Sequence, residues 1–280
     1  MRVQVIISGK NDASVVNESD KSLSGLFARV LLSQYQSIVD IVLTDEKPDI
    51  VHLIGVPNTK LYDKAKELCR LEIPYVYSPL GASLPWNAKS KEMDSQTYSS
   101  DALNYMLSNA SAIHTCSQLE RDSIKKQNED VVLSIIYNPI ITSDIAEEEF
   151  ANRMYKLYHS TIADFDANIR KRIKNRISSL NESCEQTCII IQKIMYAEYL
   201  YKRGNIPQNI LNDLAKTMME ADYDEDHMEE LLNSQGLEVF TGRLEQIMLD
   251  QSILSEGFMP VSIVNDKTTD RIKEIITNYQ

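Results

Sequence analysis

Two different periodicities divide the chain. Up to residue 142, short runs of β-branched residues alternate with stretches whose apolar positions recur every three or four residues. This alternation is typical of a parallel sheet covered by helices. It predicts strands over residues 3–8, 50–54, 75–78, 112–115 and 133–137, and helices over residues 25–37, 60–71 and 119–127.

After Asn138 the pattern becomes almost purely helical. Apolar residues at helical spacing predict helices over residues 147–180, 185–203, 208–221, 226–234, 240–254 and 267–279. We therefore expect an α/β fold with a Rossmann-like parallel sheet in residues 1–142, followed by an all-helical domain in residues 143–280.

Composition narrows the functional classes. The 280 residues are 43% hydrophobic and carry a net charge of −12, most of it in the carboxyl-terminal half. An acidic protein repels phosphate backbones, so we expect no nucleic-acid partner. Since no apolar run reaches the roughly 18 residues of a membrane span, we predict no transmembrane segment and a cytoplasmic location.

The residues that commonly bind metals are scattered. None of the four cysteines forms a C-x-x-C pair or lies near a histidine at zinc-ligand spacing. An acidic turn at residues 222–227 begins like a calcium loop, but it lacks the central glycine and the final glutamate. The sequence therefore predicts reduced thiols and no metal site.

Four segments occur in the order found in one enzyme family: residues 47–55 (KPDIVHLIG), 73–82 (IPYVYSPLGA), 109–120 (NASAIHTCSQLE) and 137–140 (YNPI). Together they resemble the amino-terminal, acceptor-side domain of the GT-B, family-four-like retaining glycosyltransferases. The match covers about half of the chain. The resemblance implies a role in polysaccharide or surface-glycan biosynthesis.

Ligands of open parallel sheets bind beyond the carboxyl ends of the strands. The matching motif positions, together with the turn after the first strand, place a ligand-binding cleft there. Lys10 is included for its position and charge, as a cation available to a phosphate. The candidate cleft residues are Gly9, Lys10, His52, Gly55, Gly81, Ser117 and Glu120. Ser117 is also placed to cap the helix that begins beside it, with Glu120 at capping-box spacing.

The chain departs from the family in three respects. The first loop has a single glycine, Gly9, and the family's histidines are replaced by Ile54 and Leu80. A second nucleotide-binding domain with a basic pair and two spaced glutamates is not recognisable after Asn138. Residues 255–258 (SEGF) echo the family's donor motif, but Val264 stands where the second glutamate belongs. We predict no catalytic residues from the sequence.

These observations leave two hypotheses of different classes open. In the first, the chain is a glycosyltransferase-like protein that keeps the acceptor-side domain, binds a glycan acceptor, and depends on a partner protein for a donor-binding domain or is non-catalytic. In the second, it is an interaction or regulatory module whose acidic helices dock a protein partner on an inherited Rossmann scaffold. If the chain is an enzyme, the resemblance implies hexosyl transfer from a nucleotide-sugar donor, and no other cofactor is predicted. A third alternative is a complete transferase with an unorthodox helical donor site.

Overall fold

The computed structural model describes residues 1–8, 22–35, 38, 40–44, 47–84, 100–140, 145–180 and 182–277. The chain forms two compact units, Met1–Asp166 and Ala167–Gln280. This division falls inside a long helix, Glu147–Ser178, whereas the change in sequence pattern lies near residue 142. The first turns of that helix therefore pack within the amino-terminal unit.

The amino-terminal unit is built around a parallel sheet of six strands in the order β2-β1-β3-β4-β5-β6. This confirms the predicted α/β class. The strands are β1 (Arg2–Ile7), β2 (Val42–Leu43), β3 (Ile50–Ile54), β4 (Tyr75–Ser78), β5 (Ala112–Thr115) and β6 (Leu133–Ile135). The connecting helices are α1 (Leu23–Tyr35), α2 (Thr59–Arg70), α3 (Ser100–Asn109) and α4 (Gln118–Gln127), and α5 (Glu147–Ser178) follows β6.

Helices cover both faces of the sheet, which explains why β3, β4 and β5 are buried along their whole length. On one face, the apolar side of α1 and the first turns of α5 pack against β1 and β3 through residues such as Phe27, Phe150 and Met154. On the other face, α2, α3 and α4 pack through residues such as Leu61 and Met106. The sheet is thus the middle of three layers.

Two elements of this unit, β2 and α3, were not predicted. β2 has only two residues and both are exposed, so it leaves no alternating pattern in the sequence. α3 does carry buried apolar residues one turn apart, Ala102, Leu103, Met106 and Leu107. That signal is available in the sequence, and Ser99 directly precedes the helix where an N-cap serine is favoured.

In its described residues the carboxyl-terminal unit contains the last turns of α5, a short 3-10 helix (Glu256–Phe258) and five further α-helices: α6 (Glu185–Lys202), α7 (Gln208–Glu220), α8 (Glu225–Ser234), α9 (Glu238–Asp250) and α10 (Lys267–Ile275). They enclose an apolar core of its own. Two short strands, β7 (Ile206–Pro207) and β8 (Ile276–Thr277), pair in parallel. The predicted helical region is confirmed, except that the last helix ends at Ile275 and the chain continues into β8.

Over the ranges that the structure describes, no helix combines the length and the apolar character needed to cross a bilayer.

Candidate functional site

The carboxyl ends of the strands meet at one edge of the sheet, and the strand order reverses there between β1 and β3. Crevices at such reversals are the usual ligand sites of doubly wound sheets. Gly55 directly follows β3 at this point, with φ of +104°. A Cβ on Gly55 would overlap the hydroxyl oxygen of Ser8, at the end of β1, and lie 3.2 Å from Cβ of Ser24. Glycine is therefore required here by conformation and by space.

The loop after β4 reverses through two consecutive residues with positive φ, Leu80 (+52°) and Gly81 (+92°). A left-handed conformation costs a non-glycine residue about 1 kcal/mol, so something must hold Leu80 in place. The carboxylate of Glu120 does so from α4. Its Oε1 accepts a hydrogen bond from the Gly81 amide (2.5 Å) and a longer one from the Ser83 hydroxyl (3.4 Å).

Glu120 itself is positioned by the start of α4. Ser117 is the N-cap, and its Oγ accepts the Glu120 amide hydrogen at 3.2 Å, as the sequence predicted. The carboxylate does not complete a capping box with Ser117, because it turns toward Gly81 instead. Three of the predicted cleft residues, Gly81, Ser117 and Glu120, are therefore joined by hydrogen bonds.

The Glu120 carboxyl is almost fully buried. Burial raises the pKa of Glu120 above its ordinary value, and the hydrogen-bond donors of Gly81, Cys116 and Ser83 oppose that rise. Since its Oε1 is engaged by the Gly81 loop, the carboxyl group acts on that loop as an internal anchor. Glu120 can shape a site at this edge by fixing the turn after β4.

His52, the remaining described candidate, lies within a buried hydrogen-bonded chain on the α1 side of the sheet. Its Nδ1 is 2.7 Å from the Tyr158 hydroxyl and its Nε2 is 2.6 Å from Ser78 Oγ. Beyond these, Tyr158 OH is 2.5 Å from Tyr35 OH, and Ser78 Oγ is 2.7 Å from Nδ1 of His114. All five side chains are at most 2% exposed.

The hydrogen positions in this row of hydrogen bonds follow from the end at His114. His114 Nε2 lies 2.9 Å from the carbonyl oxygen of Ile136, which can only accept, so Nε2 carries the hydrogen and Nδ1 accepts from Ser78. Ser78 Oγ must then accept from His52 Nε2, which leaves His52 Nδ1 to accept from Tyr158. Tyr35 donates to Tyr158. Every hydrogen-bonding atom of both rings is used, with both imidazoles neutral.

The electrostatics agree with this assignment. Burial lowers the pKa of His52 well below its ordinary range, and the neighbouring His114 lowers it further. Burial also lowers the pKa of His114 to about 4, against a smaller rise from its bond to Ile136. Phe27 packs against both rings, with centroid separations of 6.0 and 5.5 Å. In this conformation neither histidine presents a free nitrogen to a ligand.

The predicted cleft residues thus separate into three sets. Gly55, Gly81, Ser117 and Glu120 lie at the carboxyl edge, and His52 lies in the buried chain described above. Gly9 and Lys10 lie outside the described residues. Sequence reasoning did not find the partners of His52. Tyr158 is 106 residues away on α5, and no local pattern links it to β3.

Two residues of the acidic turn, Asp224 and His227, have partners within the chain. Asp224, in the acidic turn, caps α8 by accepting the His227 amide hydrogen at 3.0 Å. Glu182 pairs with the His227 ring at 2.5 Å. All four cysteines are free thiols. Within the described part of the chain, no three His, Cys, Asp or Glu side chains are grouped so that they could hold a metal ion.

No family model, no curated protein and no solved structure matched the chain.

Proposed function

We propose that this chain is a glycosyltransferase-like protein of surface-glycan biosynthesis that binds a glycan acceptor at the carboxyl edge of its sheet. In this proposal a partner chain supplies the nucleotide-sugar-binding domain, or the chain binds glycan without turnover. The location proposed for this activity is the cytoplasm.

One observation carries the proposal: motif positions from three separate segments lie at the same edge of the sheet. Gly55 follows β3, Gly81 follows β4, and Ser117 with Glu120 follow β5. Convergent turns at a strand-order reversal are where such folds hold ligands. Helices α2 and α4 also begin at this edge. The amino end of a helix favours the binding of polar and anionic groups.

Binding is tested with the purified chain on an array of immobilised oligosaccharides, and by its thermal shift with a panel of sugar nucleotides. Ser117→Ala removes the cap at the edge, and Asp224→Ala removes a matched cap in the other unit. Each costs about 1 kcal/mol of stability. For a glycan that the wild type binds, we expect the affinity of Ser117→Ala to be lower by about tenfold or more, which corresponds to about 1.4 kcal/mol of binding free energy. The affinity of Asp224→Ala should equal that of the wild type.

Other results would refute parts of the proposal. Hydrolysis or transfer of a sugar nucleotide by the pure chain would overturn its partner-dependent and non-catalytic forms. Equal loss of glycan binding in both variants would mean that general stability, not the edge, controls binding.

A second candidate is the interaction module on a Rossmann scaffold. The observation that favours it is the buried hydrogen-bonded chain around His52, in which both ring nitrogens of a histidine at a motif position are bonded inside the protein. This candidate predicts one stable protein partner on co-purification, and no thermal shift with any glycan or sugar nucleotide.

A further inference from the structure

Two cysteines lie together at the start of α6. Cys184 is the N-cap residue of this helix, and Cys188 lies one turn further along. The Cys188 amide donates a hydrogen bond to the Cys184 carbonyl oxygen at 3.1 Å, so the two side chains are neighbours along one face of the helix. Both thiols are free and only half-buried. The first turn of α6 therefore carries a pair of neighbouring, accessible thiols.

The surroundings of Cys184 favour its thiolate. The thiol makes no capping hydrogen bond of normal geometry, and the first amides of a helix have no partner within it. The Thr187 hydroxyl lowers the pKa of Cys184 most, and the amides of Thr187 and Gln186 lower it further. Partial burial and the charge of Glu182 oppose the fall. Because the thiolate is the nucleophilic form of cysteine, Cys184 is placed to react.

The carboxylate of Glu182, which would repel that thiolate, is engaged by other groups. Its Oε1 accepts a hydrogen bond from the Cys184 amide at 2.6 Å, and its Oε2 lies 2.5 Å from Nε2 of His227. The bond to Glu182 raises the pKa of His227, which favours a charged ring beside the carboxylate. The positive charge on that ring offsets the negative charge near Cys184.

The second thiol of the pair differs from the first. Partial burial and the charge of Glu182 raise the pKa of Cys188, and its Sγ lies 3.9 Å from the Glu182 carbonyl oxygen. Cys188 is therefore the protonated partner at neutral pH. An accessible thiol of lowered pKa with a second cysteine beside it is the arrangement of redox-sensing pairs.

The other two cysteines lack this arrangement. Burial and the charge of Glu120 raise the pKa of the Cys116 thiol. Cys69 packs against the apolar layer between the sheet and its covering helices. Neither residue has another cysteine within four positions of it in the sequence. Both thus serve as internal references for the reactivity of Cys184.

We propose that Cys184 and Cys188 form a redox-sensitive pair, in which a hydroperoxide oxidises Cys184 and Cys188 then closes a disulfide with it. In the first step the Cys184 sulfur attacks the peroxide: an S–O bond forms, the O–O bond breaks, and the leaving oxygen takes up the proton released by the thiol. The sulfur is oxidised to a sulfenic acid and the peroxide is reduced. In the second step the Cys188 sulfur attacks the Cys184 sulfur. The S–S bond forms, the S–O bond breaks, and hydroxide leaves as water with the Cys188 proton.

The backbone permits this closure. Side chains one helical turn apart have Cβ atoms about 5–6 Å apart, and a disulfide needs about 3.5–4.5 Å. Cys184 has φ of −79° and ψ of 110°, outside the helical region, so it can move inward while the rest of α6 stays in place. The closure costs at most the hydrogen bond between the Cys188 amide and the Cys184 carbonyl.

Oxidation also changes a contact of α6. Cys184 Sγ lies 3.9 Å from the carbonyl oxygen of Asp222, in the turn before α8, and Gln186 Oε1 accepts the Asp222 amide hydrogen at 2.6 Å. A disulfide withdraws the Cys184 sulfur from this turn. The redox state of the pair is therefore coupled to the contact between the start of α6 and the turn before α8.

The test is peptide mass spectrometry of the full chain after brief treatment with hydrogen peroxide and alkylation of the remaining thiols. Both cysteines fall in one tryptic peptide, residues 177–193. We expect this peptide to lose two hydrogen atoms, reversibly with dithiothreitol, at a rate about tenfold or more above the oxidation of Cys69 or Cys116. In Cys188→Ser, a cyclic 1,3-diketone should trap the sulfenic acid on Cys184. The matched control, Cys69→Ser, should oxidise at residues 177–193 as fast as the wild type.

The proposal fails if Cys69 or Cys116 is oxidised as fast as Cys184, or if folded Cys188→Ser yields no trapped sulfenic acid on Cys184. If Cys188→Ser does not fold, the wild type decides. A disulfide within residues 177–193 supports the pair, whereas sulfinic or sulfonic acid on Cys184 without that disulfide refutes it.

Discussion

Glu245, on α9, is the least expected side chain of the carboxyl-terminal unit. It is completely buried, and neither carboxyl oxygen has a hydrogen-bond partner of normal geometry. Burial raises the pKa of Glu245 to about 9; the nearby Val261 amide opposes the rise and the charge of Glu225 adds to it. The carboxyl group is therefore neutral in the folded protein at pH 7.

The replacement Glu245→Gln keeps the shape of this neutral side chain and removes its ionisation. In the unfolded chain a glutamate has a pKa near 4.5, so folding at higher pH requires Glu245 to take up a proton. A raised folded-state pKa contributes stability that is complete below pH 4.5 and is lost as pH rises through about 9. At about 1.4 kcal/mol per pH unit, the loss is about 3 kcal/mol at pH 7 and about 6 kcal/mol above pH 9.

We expect Glu245→Gln to match the wild type near pH 5 and to be more stable by about 3 kcal/mol at pH 7, with a larger difference at pH 9. The assay is urea unfolding at these three pH values, followed by helical circular dichroism. As a control, Glu229→Gln changes an exposed side chain of α8 and should alter the unfolding free energy by less than about 0.5 kcal/mol throughout. A difference between Glu245→Gln and the wild type that stays constant from pH 5 to 9 would refute the reasoning.

Three further predictions concern the amino-terminal unit. Tyr158→Phe leaves a buried imidazole nitrogen without a donor and a buried phenol without an acceptor, so urea unfolding should show a loss of about 2–4 kcal/mol. Tyr155→Phe removes an exposed bond to a carboxylate and should leave the unfolding free energy nearly unchanged. Gly55→Ala should reduce soluble yield and lower Tm strongly because of the clash and positive φ, whereas Gly236→Ala, with φ of +69° and open space around it, should cost only about 1 kcal/mol. Because burial lowers the pKa of His114 to about 4, the stability of Glu245→Gln, which lacks the opposing titration of Glu245, should fall as pH drops from 6.5 toward 4; an acid titration of the Tm of this variant that is flat over this range would contradict the neutral assignment.

Much of the fold could be predicted because its signals are local. The strands Ile50–Ile54, Tyr75–Ser78 and Ala112–Thr115 are observed over the predicted residues, since a buried parallel strand is a short apolar run between turns. The Ser117 cap was predicted for the same reason, because a cap and its amide are three residues apart.

The candidate site was predictable in position but not in its bonding. The sequence places Gly81 and Glu120 after neighbouring strands, but the hydrogen bond between them spans 39 residues. Capping-box spacing predicted a different partner for the Glu120 carboxylate, and only the folded loop after β4 presents the competing Gly81 amide.

By itself, then, the sequence determined the local elements and the parallel α/β class, because these depend on the period of apolar residues and on turn and cap chemistry within a few residues. The tertiary structure decided which partners the buried polar side chains have and whether they carry a charge. His52 meets Tyr158 only when α5 packs on the sheet, and Glu245 loses its water only when the helices of its unit close around it. Burial and long-range contacts set the protonation of both side chains, and neither is encoded in the neighbouring sequence.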